Sequence, residues 1–65
     1  MRIVLDYSGE ERVLLVQSTR KGKSGRATAL QSALRSMGKT PSYGFCLHVI
    51  ETDYRVEFDE LPDAN

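Results

Sequence analysis

Cysteine is nearly missing from this chain: among 65 residues, Cys46 is the only one. An intrachain disulfide is therefore excluded, and one cysteine with one histidine, His48, cannot build a structural zinc site. A domain of this length buries only about 60% of the surface that its unfolded chain exposes. Such small domains usually need a disulfide, a metal or self-association. We therefore expect a homodimer and no cofactor.

Long hydrophobic runs are also missing. The run from Val13 to Val16 is far shorter than the roughly 20 residues that span a bilayer. The apolar run near the N-terminus, Ile3 to Leu5, is too short for the core of a signal peptide. Apolar residues still make up 40% of the chain, which is typical of a folded domain. These features predict a soluble, cytoplasmic protein that does not contact membranes.

Acidic residues are absent from the whole stretch between Arg12 and Ile50. Seven of the nine lysines and arginines lie in that stretch, and all nine acids lie outside it. The formal net charge of zero therefore conceals a segregation of charge along the chain. Segregated charge creates a field that an anionic partner can feel before contact.

The N-terminal third predicts a β-hairpin. Ile3, Leu5 and Tyr7 alternate with more polar residues, Ser8 and Gly9 form a turn signal, and a second strand covers residues 12 to 17. This second strand is apolar on both faces, which is typical of a central strand.

The middle third predicts one helix. Its apolar residues recur at spacings of three and four, which favours a helix with a single apolar stripe. Ser24 is the expected N-cap and Gly38 the expected residue after the C-terminus. The stripe consists of Leu30, Ala33, Leu34 and Met37.

The last third predicts a second hairpin, with strands from Phe45 to Glu51 and from Tyr54 to Leu61. The first of these strands again has apolar residues on both faces. The last strand alternates apolar residues with charged ones, as an edge strand does.

Together these elements predict a single α+β domain over residues 1 to 61 with the order β-β-α-β-β, followed by a flexible tail over residues 62 to 65. The four strands are expected in the order 1-2-3-4, with one helix packed on one face. One helix leaves the other sheet face uncovered, and an exposed apolar face usually marks an interaction site. The residues expected on this dimer or partner face are Leu14, Val16, Cys46, His48 and Ile50.

A basic loop rich in glycine and serine precedes the predicted helix. Gly22, Lys23 and Ser24 match the end of a phosphate-binding P-loop, but the glycine required five positions earlier is Gln17. Nucleotide hydrolysis is therefore not expected. A loop of this kind at a helix N-terminus still suits a phosphate oxygen, although it also suits a solvated connection. The residues predicted to bind an anion or nucleic acid are Arg20, Lys21, Lys23, Ser24, Arg26, Arg35, Lys39 and Tyr43.

The segment from Lys23 to Leu34 resembles the loop and helix with which double-stranded-RNA-binding domains contact phosphates. The resemblance covers that segment alone, because two strands are predicted after the helix here. It implies contacts to nucleic-acid phosphates, and the affinity should then fall steeply with salt.

Two hypotheses for function follow, and neither is an enzyme. Cys46 and His48 lie two residues apart without a third orienting residue, so packing is a better interpretation than catalysis. The leading hypothesis is a non-enzymatic module that binds a nucleic-acid or nucleotide phosphate through the basic loop. The alternative is a protein-interaction module, such as a small inhibitor or adaptor from a phage or other mobile element. It would dock through the open sheet face or the acidic last strand.

Overall fold

The computed structural model describes residues 1–64 and contains a three-stranded sheet and two α-helices. The strands are β1 (Arg2–Tyr7), β2 (Glu10–Leu15) and β3 (Arg55–Glu57), and the helices are α1 (Lys23–Ser36) and α2 (Tyr43–Glu51). A 3-10 turn follows β3 at Phe58–Glu60. The chain is a small α+β domain, but the predicted four-stranded sheet with one helix is wrong.

The first hairpin is present, but its second strand is Glu10–Leu15 instead of residues 12 to 17 and lies at the sheet edge instead of the centre. β1 pairs antiparallel with β2, and the register places Tyr7 opposite Glu10. Ser8 and Gly9 both have positive φ, 54° and 100°, which is the conformation of a type I′ turn. The Gly9 N–H donates to Asp6 Oδ1 at 2.7 Å, so the turn is also tied to the strand before it.

Helix α1 ends as the sequence predicts but begins two residues earlier than expected. Gly38 has a φ of +88°, its N–H donates to Arg35 O, and the Lys39 N–H donates to Leu34 O. These two bonds form a Schellman motif. At the other end the cap position is Gly22, and Ser24 lies inside the first turn.

The buried side of α1 is shifted by one turn from the predicted stripe. Ala27, Leu30 and Leu34 are fully buried, whereas Ala33 is half-buried and Met37 is exposed. The stripe moves toward the N-terminus because the helix has already ended at the Met37 cap.

The segment from residue 43 to 51 is a helix, so the strand predicted there is wrong. Cys46, Val49 and Ile50 are buried at a spacing of three and four residues. Ser42 caps the helix, because its Oγ accepts a hydrogen bond from the Phe45 N–H at 3.0 Å. A short apolar run fits a buried helix as well as a buried strand, and the capping serine favours the helix.

The last predicted strand is shortened and the strand order is different. β3 has only three residues and pairs in parallel with β1, with Leu5 opposite Val56. The sheet order is therefore β2-β1-β3 instead of 1-2-3-4, and β1 is the central strand. A parallel return requires a crossover, which α1 and α2 supply.

Residues 62 to 64, expected in a flexible tail with residue 65, are hydrogen-bonded to the segment after α1. The Thr40 N–H donates to Pro62 O at 2.8 Å, and the Ala64 N–H donates to Gly38 O at 2.9 Å. Residue 65 lies outside the described residues.

The core lies on one face of the sheet. Ile3, Leu5 and Val56 share that face through the strand register and are buried together with the apolar residues of both helices. The opposite face has no helix on it. It carries Val4, Val13 and Leu15, of which Leu15 is 73% exposed.

Candidate functional site

The N-terminus of α1 has no capping side chain. Gly22 occupies the cap position with a φ of +91°, and no side chain accepts a hydrogen bond from the first turn. The first turn also contains no acidic residue. The free N–H groups and the positive end of the helix dipole are therefore available to an external anion.

Four cations surround this end of the helix. Arg20, Lys21 and Lys23 are exposed, and Arg26 is partly buried. Lys23 Nζ lies 3.1 Å from Glu51 Oε2 in a surface ion pair, and such pairs contribute little stability. The other three cations form no ion pair within residues 1–64, so the positive charge here is largely uncompensated.

The loop before α1 is held close to the helix. A Cβ built on the buried Gly25 would come within 2.5 Å of Arg20 Cβ, so only glycine permits this approach. Beside the contact lies a depression of about 280 Å³ between the loop and the first turns of α1. The packing fixes the position of Arg20 relative to the helix N-terminus.

Tyr43 joins this site through a hydroxyl contact. Its Oη donates to Ser24 Oγ at 2.9 Å, which brings the start of α2 to the first turn of α1. Tyr43 as a whole is 39% exposed. Of the eight residues predicted to bind an anion, the structure therefore gathers six at one end of α1.

The remaining two predicted residues lie elsewhere. Arg35 is in the last turn of α1, about 18 Å along the helix from Lys23. Lys39 Nζ lies 2.7 Å from Asp63 Oδ1, and its side chain is only 12% exposed. Lys39 is thus already paired with the C-terminal segment.

The five residues expected on one partner face do not share a face. Cys46 and Ile50 are in the core, Val16 is buried, and Leu14 is half-buried on the helix side of the sheet. His48 is exposed on α2. Because residues 45 to 50 are helical, alternate residues do not point the same way. Burial raises the pKa of the Cys46 thiol to about 11, which leaves it unreactive.

The open sheet face has two halves, which sequence reasoning missed. One half carries Val4, Val13 and Leu15. In the other half Arg55 contacts acids from all three strands, with its guanidinium 2.5 Å from Asp6, 2.6 Å from Glu11 and 3.5 Å from Glu57. Of the acids in the predicted last strand, only Glu57 takes part in this cluster.

The ion pairs of Arg55 and the turn at Gly9 shift two pKa values. The hydrogen bond from the Gly9 N–H, followed by that from Arg55, lowers the pKa of Asp6 below its usual 3.8. The carboxylates of Glu11 and Asp6 raise the pKa of Arg55 further. Both shifts favour the charged forms, because each group is hydrogen-bonded as an ion.

A groove of about 870 Å³ runs between α2 and the segment that contains β3 and the 3-10 turn. Phe45, Val49 and Leu61 contribute apolar surface, and Asp53 and Glu60 contribute acidic groups. The sequence pattern did not indicate this groove, because it exists only when residues 43 to 51 form a helix.

Three further findings concern metal ligands, membrane spans and known proteins. No group of three metal-ligating side chains lies together within residues 1–64. None of the helices in the described part of the chain is long and apolar enough to cross a membrane. Comparison with protein-family models, curated proteins and solved structures finds no match to this chain.

Proposed function

We propose that this protein is a small binding module that holds a nucleic-acid phosphate at the N-terminus of α1. The observation that carries the proposal is the combination of an uncapped helix N-terminus with Arg20, Lys21 and Arg26, which form no ion pair within residues 1–64. Backbone N–H groups, the helix dipole and nearby cations all favour a phosphate oxygen at this position.

The geometry limits how many phosphates are contacted. Lys39 is paired with Asp63 and Arg35 lies at the far end of α1, so the site offers about four cations rather than six. For single strands the slope of log affinity against log salt should be roughly −3, and for duplex DNA roughly −3.6. Tyr43 supplies a partly exposed ring at the same end, which favours single strands through stacking on a base.

The test is a titration of fluorescently labelled single- and double-stranded DNA and RNA, followed by anisotropy at 50 and 200 mM salt. We expect binding at low salt that weakens with the slope given above. In Lys21→Glu the slope should become shallower by about one, because one phosphate contact is lost.

The matched control is Arg2→Glu, which makes the same change in net charge on the sheet, away from α1. Arg35→Glu then tests the far end of the helix. The proposal predicts a large loss for Lys21→Glu and small losses for the other two. Equal losses in all three variants, or no binding at low salt, would refute it.

A second candidate function is protein binding in the groove beside α2. Its apolar residues and its acidic groups fit a peptide with both apolar and basic residues. This is the protein-interaction alternative, moved from the predicted last strand to the groove that the helix creates.

A peptide of alternating leucine and lysine serves as the probe for this second function. Binding should shift the amide NMR signals of residues 45 to 53, and Glu60→Lys should weaken it. The control Glu10→Lys reverses the same charge on β2, outside the groove. Equal loss in both variants would indicate nonspecific attraction and contradict a groove site.

A further inference from the structure

The second half of β2 is a free strand edge without the usual protection, whereas its first half, Glu10 to Arg12, is charged. Natural sheets blunt their edges with very short strands, proline, bulges or charges. The other edge strand, β3, has only three residues, two of them charged. β2 has six residues that pair regularly with β1, and its second half is Val13, Leu14 and Leu15. Val13 is 50% exposed and Leu15 is 73% exposed.

The backbone of β2 presents free hydrogen-bonding groups at this edge. Met1 and Val16 exchange both backbone bonds, at 2.7 and 2.9 Å, and so form a hydrogen-bonded pair. Bonded and non-bonded pairs alternate along an antiparallel ladder. The N–H and C=O groups of Val13 and Leu15 therefore point away from β1, and no other hydrogen bond within residues 1–64 uses them.

We propose that this edge pairs with the β2 edge of a second copy, in a two-fold dimer centred on Leu14, to form a continuous six-stranded sheet. An antiparallel partner centred on Leu14 places Val13 opposite Leu15 of the other copy, and Leu15 opposite its Val13. The free groups of these residues then bond each other, and four apolar side chains lie together on the open face.

Other registers are less favourable. A two-fold axis at Val13 sets the Glu11 carboxylate against Leu15 of the second copy, and an axis at Arg12 sets two guanidinium groups against each other. Only the Leu14 register gives both Val13 and Leu15 an apolar partner, because an axis at Leu15 would set Val13 against Gln17. The edge is thus complementary to itself.

The charge pattern supports the same arrangement. In the Leu14 register, Glu11 and Glu10 begin β2 of one copy. They lie opposite Gln17 and Ser18 of the second copy, just after its β2 ends. The cations at Arg20 and Lys21 follow directly. The Glu10 side chain is 69% exposed and is paired only with an equally exposed Arg12 within residues 1–64, so it can approach these cations. In this dimer the acidic start of β2 in one copy would attract the basic loop of the other copy.

Sedimentation equilibrium over a wide concentration range tests the dimer. We expect a concentration-dependent dimer whose dissociation constant rises by about tenfold in Leu15→Lys, because two apolar cross-strand pairs are lost. Met37→Lys is the matched control, since it adds the same charge at an exposed apolar residue after α1. A strictly monomeric protein, or equal effects of both changes, would overturn the proposal.

Cysteine cross-linking tests the register and does not depend on the strength of the dimer. In the Leu14 register the two Leu14 Cα atoms are about 4.5 Å apart, which is within disulfide range. Leu14→Cys should therefore form a dimer on a non-reducing gel after oxidation with diamide. Arg12→Cys and Val13→Cys should not. Preferential cross-linking at either of those positions would contradict the Leu14 register.

Discussion

The two apolar runs of this chain, residues 13 to 16 and residues 45 to 50, look alike in sequence but differ in secondary structure and in burial. Both carry apolar residues on what would be the two faces of a strand, a pattern that predicts a central strand for each. Residues 13 to 15 of the first run lie in the edge strand β2, and residue 16 follows it. Leu15 is 73% exposed. The second is a helix whose Cys46, Val49 and Ile50 are buried.

This difference shows that the hydrophobicity of a run does not determine whether it is buried. A helix buries residues spaced by three and four, so most of the second run can reach the core. A strand presents alternate residues to opposite faces, so Val13 and Leu15 remain outside when helices cover only one face. In the first run Val13 and Leu15 therefore stay exposed while Val16 is buried, and the second run supplies three core residues.

The largest contrast should come from truncating one residue in each run. Ile50→Ala should lower the free energy of unfolding by about 2–5 kcal/mol, because it leaves a cavity in the core. Leu15→Ala should change it by no more than about 0.5 kcal/mol in the monomer. Urea denaturation at a concentration where the chain is monomeric measures both. Equal losses would contradict the helical placement of residues 43 to 51.

A smaller effect is expected from Ser42, which caps the helix of the second run. Ser42→Ala removes the acceptor for the Phe45 N–H and should cost about 1 kcal/mol.

The control for the cap is Ser32→Ala, an exposed serine within α1 that should be neutral or slightly stabilising. Thermal and urea unfolding compare the two variants. If Ser42→Ala lowers the free energy of unfolding no more than Ser32→Ala does, the Ser42 cap does not stabilise α2.

The smallest effect on stability is expected at Asp6, in the charged half of the open sheet face. The folded pKa of Asp6 lies below its unfolded value of 3.8, so its stabilisation is complete above that value. The stabilisation is lost as the pH falls through the folded pKa. Unfolding measured from pH 6 to pH 2 should show this loss, and Asp6→Asn should reduce it.

Glu60→Gln is the control for the pH experiment, because Glu60 forms no ion pair within residues 1–64. Its pH profile should follow that of the unmodified chain. An Asp6→Asn profile identical to both would mean that the contacts from Gly9 and Arg55 do not stabilise the fold.

Local signals predicted the parts of the fold that depend on neighbouring residues. The Ser8–Gly9 turn and the end of α1 at Gly38 are both correct, because positive φ is required there and these residues accept it. The strand prediction for residues 45 to 50 is wrong because alternation and helical spacing cannot be separated in a six-residue run in which only His48 is polar. Ser42 after Pro41 was the available signal for a helix.

The sequence predicted part of the candidate site, because residues that are close in the chain stay close in the structure. Arg20, Lys21, Lys23, Ser24 and Arg26 are close in sequence, so a loop and one helical turn keep them together. Tyr43 joins them only through a tertiary contact with Ser24. Arg35 and Lys39 share the helix or its exit, but helix length separates them from the loop.

The sequence by itself determined the hairpin, the ends of α1 within two residues, and the clustering of cations around the start of α1. These features depend on backbone preferences and on covalent proximity, which act over a few residues. The tertiary structure decided which apolar run is buried, which strand is central and which cations are paired. Those outcomes depend on how three strands and two helices pack around one core. That packing consists of contacts between residues far apart in the chain.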